Sequence, residues 1–238
     1  FLGNKDKKNN NEINLNITKK NKENFKIIGN LKNNKSYINP KTLFKLLKIK
    51  QSIISNDKVL IESKNQFSFE LDSERKINDL SINSSLNFDK IYFNNEFQNL
   101  LYLKKGNIET FVQDKDFKIK IDSKYSFLNE NYVNKKGDEF IKINIKKEQS
   151  KPIDVETLFK TNKLKINSKE FAKYLNIKDG LINDQEIELN SNNKVKFSID
   201  KKNNIKNLNL KSNLQFDKIK IFYKSKKIKN FIPDYNNK

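Results

Sequence analysis

The sequence predicts a mostly β protein: an elongated, curved antiparallel sheet forming a groove, built from tandem units of about 128 residues with one short helix per unit. Three observations lead there. Apolar and polar residues alternate along most of the chain, the period of a strand with one apolar face. Segments with helical period are few. Residues 13–93 align without a gap on residues 141–221, and about a third of the paired positions are identical.

Taken in chain order, Ile13, Leu15 and Ile17 form the first alternation, echoed by Ile141, Ile143 and Ile145. Asn39-Pro40 then marks a helix start, a polar cap before a proline at the first helical position, ahead of Leu43, Leu46 and Leu47. The second copy offers Asn167-Ser168-Lys169-Glu170 before Phe171, Tyr174 and Leu175. With one apolar stripe, each helix is expected to cover an end or edge of the sheet. Val59 and Ile61 lead into Phe67, Phe69 and Leu71, as Ile187 and Leu189 lead into Val195, Phe197 and Ile199. Pairing Ile61 with Phe67 predicts a hairpin with Ser63-Lys64-Asn65 at its tip, and Asn65 and Asn193 near positive φ.

Leu80, Ile82, Ser84, Leu86 and Phe88 keep one parity, matched by Leu208, Leu210, Ser212, Leu214 and Phe216. The parity slips before Ile91 and again before Ile219. A β-bulge at Asp89-Lys90 and at Asp217-Lys218 accounts for the slip; two separate strands meeting there is the other reading. Phe117 to Phe127 is the longest clean alternation. Residues 1–12, 129–138 and 201–206 read as Asn/Lys-rich loops. The expected organisation is a tail of a preceding unit at 1–12, unit one at 13–140 and an incomplete unit two at 141–238. Unit two lacks counterparts of residues 111–140, so residues 224–238 are expected to pack poorly. The chain begins at Phe1 and contains no Met, so it reads as part of a longer protein.

Composition narrows the chemistry. With no His and no Cys, serine and cysteine triads, thiolate ligands and disulfides are excluded. The five glycines make no phosphate-cradling loop. Asp72 with Asp89 recurs as Asp200 with Asp217, and turn chemistry is the better reading of these carboxylates than an acid/base pair. No catalytic residue, metal site or cofactor is expected. The net charge of +20 would suit a nucleic-acid or anionic-membrane partner. Yet the lysines are dispersed, Arg75 is the only arginine, and Lys, Asn and Ile share A/T-rich codons, so solvated surface is the better reading. The 18 Phe residues fall mostly on the apolar parity, as core or groove lining and not as base-stacking platforms; no nucleic-acid partner is expected. No run of about 18 apolar residues crosses a bilayer.

An apolar sheet face must be covered, by a second sheet or by an apolar guest. Acyl chains suit an open trough, since each buried CH₂ contributes about 0.8 kcal/mol. The stretch from Lys163 to Leu175, then Gly180 to Asn183, then the strands from Ile187 to Ile221 resemble the AsmA-like superfamily, in particular its TamB- and YhdP-type branch. That resemblance implies a protein anchored in the inner membrane through an N-terminal segment and crossing the periplasm. It also implies a β-groove that conducts phospholipid toward the outer membrane, with both membranes reached through flanking regions. Strand parity assigns the groove lining to Val59, Ile61, Phe67, Phe69, Leu71, Leu80, Ile82, Leu86 and Phe88. Their equivalents are Ile187, Leu189, Val195, Phe197, Ile199, Leu208, Leu210, Leu214 and Phe216. The competing readings are a structural or adhesive repeat protein with filled sandwiches and, behind it, a basic nucleic-acid-binding module.

Overall fold

A computed structural model describes residues 11–20, 24–42, 54–55, 58–93, 101–127, 139–167 and 186–216. Ten strands are laid side by side in chain order, each antiparallel to the last, in a single open sheet. They are β1 (Glu12–Lys19), β2 (Phe25–Ile38), β3 (Val59–Leu71), β4 (Ile77–Tyr92), β5 (Leu101–Gln113), β6 (Asp116–Phe127), β7 (Phe140–Lys147), β8 (Ile153–Asn167), β9 (Glu186–Ile199) and β10 (Ile205–Phe216). A meander of this kind follows from alternating patterning and from the tendency of consecutive strands to pair. Among the described residues no second sheet faces this one, which leaves the filled sandwich without its partner layer.

Two tight connections show why the chain turns where it does. After β3, the Asp72 carboxylate accepts hydrogen bonds from the backbone N–H groups of Glu74 (3.0 Å) and Lys76 (2.8 Å), and Arg75 takes φ 61°. After β9, Asp200 accepts from Lys202 (2.8 Å) and Asn204 (2.9 Å), with Asn203 at φ 63°. The acceptor bonds hold both carboxyls below the ordinary Asp range, the bond from the Lys76 amide leading at Asp72 and that from Asn204 at Asp200. Asp72 and Asp89 lie at opposite ends of β4, so they form no pair.

Four expectations meet the structure differently. The hairpin at Ser63-Lys64-Asn65 does not form: β3 runs straight through it, and neither Asn65 nor Asn193 has positive φ. The reason is tertiary. Asn65 accepts from Ser84 Oγ (2.5 Å) on β4 and donates to the Leu31 carbonyl (3.3 Å) on β2, so its polar atoms bond across strands instead of closing a turn. The parity slip after Phe88 is present, since Phe88 and Ile91 both enter the core, but the β4–β5 ladder passes Asp89-Lys90 without a shift. The extra residue appears next door, where Lys105-Gly106 of β5 bulges against β6 with Lys105 at φ 51°. Residues 201–206 are not wholly loop, because β10 begins at Ile205. Asn39 caps a helical turn as expected, its Oδ1 accepting from Thr42 N (3.3 Å) after Pro40 opens it. The rest of that helix, the second helix, the bulge at Asp217-Lys218 and residues 224–238 lie outside the described residues.

Candidate functional site: the two faces of the sheet

Residues directly paired across strands share a face, as do residues two apart along one strand. Followed through the registers, these rules put all eighteen parity-assigned residues on one face. Phe67 pairs with Ile82, Ile61 with Phe88, Leu71 with Ile77, and in the second half Val195 with Leu210 and Leu189 with Phe216. The same face takes Ile13, Leu15 and Ile17 of β1, Ile119 and Ile121 of β6, and Ile143 and Ile145 of β7. Most apolar residues of the ten strands are thus gathered on one face, with Ile28, Phe111 and Phe140 among those on the other.

Depth varies greatly along that face. Val59, Ile61 and Phe88 are buried and pack with Ile91, Leu103 and Tyr125 into one cluster. Ile187 and Leu189 are buried beside Leu164. Phe67, Phe69, Leu71, Leu80, Ile82, Leu86, Val195, Phe197, Ile199 and Phe216 are half-buried. Leu208, Leu210 and Leu214 on β10 are exposed at 67%, 65% and 44%, as are Ile13, Leu15 and Ile17 on β1. Thus the buried patch gathers at one end of the central strands, and both edge strands carry bare apolar rows. Tyr125 stacks on Phe159 at 4.4 Å and donates to the Lys160 carbonyl (3.1 Å), and burial pushes its phenol upward in pKa.

Polar side chains interrupt the apolar field, and two of the interruptions are matching ladders. Ser63, Asn65 and Ser84 bond one another on β3 and β4; Ser191, Asn193 and Ser212 do the same on β9 and β10. Parity put Ser84 and Ser212 on this face, but the bonds that let them stay there depend on cross-strand register, which local sequence does not carry.

The opposite face is built in rows that cross the strands. One row runs Glu12, Lys32, Lys64, Ser85, Glu109, Lys120, Asn144, Glu156, Lys196. It carries ion pairs between Glu12 and Lys32 (3.8 Å), Glu109 and Lys120 (3.5 Å), and Glu156 and Lys196 (3.0 Å). Next to it runs Asn14, Asn30, Gln66, Asn83, Phe111, Lys118, Lys146, continuing to Asp154 and Ser198. From Asn14 to Lys146 every side chain in this row is exposed. A depression of about 620 Å³ crosses β1 to β6 here, and a second of about 550 Å³ adjoins it, sharing Phe111 and Lys118. At the second, Glu148 is bonded by Lys146 and Lys151, which lower its carboxyl pKa to about 2.

Among the described residues, no group of His, Cys, Asp and Glu could hold a metal ion, and no helix is long and apolar enough to cross a membrane. No protein-family model matches this chain, and neither a curated protein nor a solved structure matches it.

Proposed function

We propose that this chain is a segment of a bridge-like lipid-carrying protein, made of tandem units of about 128 residues, whose apolar sheet face takes phospholipid acyl chains. The observation that carries the reading is the gathering of apolar residues on one face of all ten strands, with its hydrophobic rows standing open on β1 and β10. An apolar expanse of that extent calls for an apolar occupant. The tandem organisation is supported by twin features. The Asp72 and Asp200 turns, the Ser-Asn-Ser ladders and the positive-φ residues Asp79 and Asn207 each recur about 128 residues apart. In this reading the sheet curls around its guest to form a groove. The chain belongs to a protein anchored in the inner membrane and spanning the periplasm toward the outer membrane, and it performs no catalysis.

Native mass spectrometry of the purified chain, with lipid extraction, tests the proposal. Copurifying phospholipid, lost when Phe67→Asp and Phe197→Asp place charges on the apolar face, is the expected result. A lipid-free chain, or lipid content indifferent to both substitutions, would count against it.

A further inference from the structure

The row Asn14, Asn30, Gln66, Asn83, Phe111 and Lys118 differs from its neighbour in one respect that matters. The adjacent row carries three ion pairs between its own members. Among the described residues, the four amides make no side-chain hydrogen bond to the protein, although each presents donors and an acceptor. They lie on four consecutive strands, hence about 4.8 Å apart along a line crossing the sheet. Phe111, exposed at 44%, follows directly in the row as an aromatic plate, and Ile28 at 42% stands on the same face beside Asn30. All six residues line the same depression.

We infer that this row binds an extended, 1,4-linked polysaccharide lying across the strands. The strand spacing is close to the length of one sugar unit in such a polymer, so successive units meet successive amides. Sugar hydroxyls both donate and accept, as amides do, and the apolar face of a pyranose ring stacks on Phe111. A nucleic acid fits less well: it needs an aromatic plate for successive bases, and the row supplies one, while two of the four lysines at the depression, Lys32 and Lys120, are already ion-paired. The site lies on the face opposite the proposed lipid surface and does not depend on that reading.

The test is titration of the isotope-labelled full chain with cellohexaose, followed by NMR. Perturbation of the side-chain amides of Asn14, Asn30, Gln66 and Asn83 and of the Phe111 ring is expected. Phe111→Ala and the pair Asn30→Ala, Gln66→Ala should each weaken binding by about tenfold or more. Leu210→Ala, on the other face, should leave it unchanged. Circular dichroism confirms that each variant keeps its sheet. Absence of perturbation at millimolar cellohexaose, or binding that survives Phe111→Ala, overturns the inference. So does steeply salt-dependent binding of oligothymidylate at this row without binding of the sugar.

Discussion

Phe67 lies flat across the sheet, its ring over Gly29 on the neighbouring strand. A Cβ built on Gly29 would fall 2.2 Å from the Phe67 ring, so this glycine serves space and not flexibility. The twin pair, Thr157 and Val195, is also directly opposed and splits the same volume more evenly. Gly29→Thr alone should lower stability by about 1–3 kcal/mol through overpacking. Adding Phe67→Val should recover most of that loss, read as a shift in urea midpoint across a double-mutant cycle. Simple additivity of the two changes would refute the coupling. Asp72 and Asp200 carry a second expectation at this scale. Their folded pKa values are depressed, so their contribution is present above the unfolded value of about 3.9 and is lost as pH falls through the folded value. Asp72→Asn with Asp200→Asn should therefore flatten the acid limb of stability against pH, measured by denaturation at pH 6 and pH 3.

Among the elements, β5 is one of five strands that carry a bulge, with β2, β4, β8 and β10. Lys105 sits at φ 51° in the bulge, a conformation costing a non-glycine residue about 1–2 kcal/mol. Lys105→Gly should stabilise by up to about 1 kcal/mol, and Lys105→Val should destabilise, in the same denaturation assay. The slip itself was readable in Phe88 and Ile91, because both are apolar and three residues apart. Which strand holds the extra residue was not, because two paired strands share one ladder and either can bulge. The loop assigned to Ser63-Lys64-Asn65 failed for a related reason. Polar residues in a row suggest a turn locally, yet here β2 and β4 supply partners that make them part of a strand.

Across the whole molecule, the sheet is staggered as well as long. Following direct partners from Asn65 through Ser84, Thr110, Ile119, Ile145 and Val155 leads to Phe197 and not to its twin Asn193. Equivalent positions thus climb along the strands from one half to the other, as in sheets that coil. Among the described residues the sheet ends at β1 and β10, whose outer edges pair with no other described strand and lie beside exposed leucines and isoleucines. Such edges template further pairing. Sedimentation velocity should show concentration-dependent association that Leu15→Lys with Leu210→Lys suppresses. A monomer at all concentrations before substitution would dismiss that expectation.

The sequence by itself determined the strand period, the Asp-led turns, the Asn39 cap and the shared face of the eighteen parity-assigned apolar residues. These are properties of neighbouring residues, and alternation is a local rule. Only the tertiary structure decided that Val59 is 3% exposed while Leu210 of the same parity is 65% exposed, since depth depends on what lies across and above. The tertiary structure alone also aligned Asn14, Asn30, Gln66, Asn83 and Phe111 into one row. Their alignment is fixed by register between strands distant in sequence, and register is set by pairing that no local pattern records.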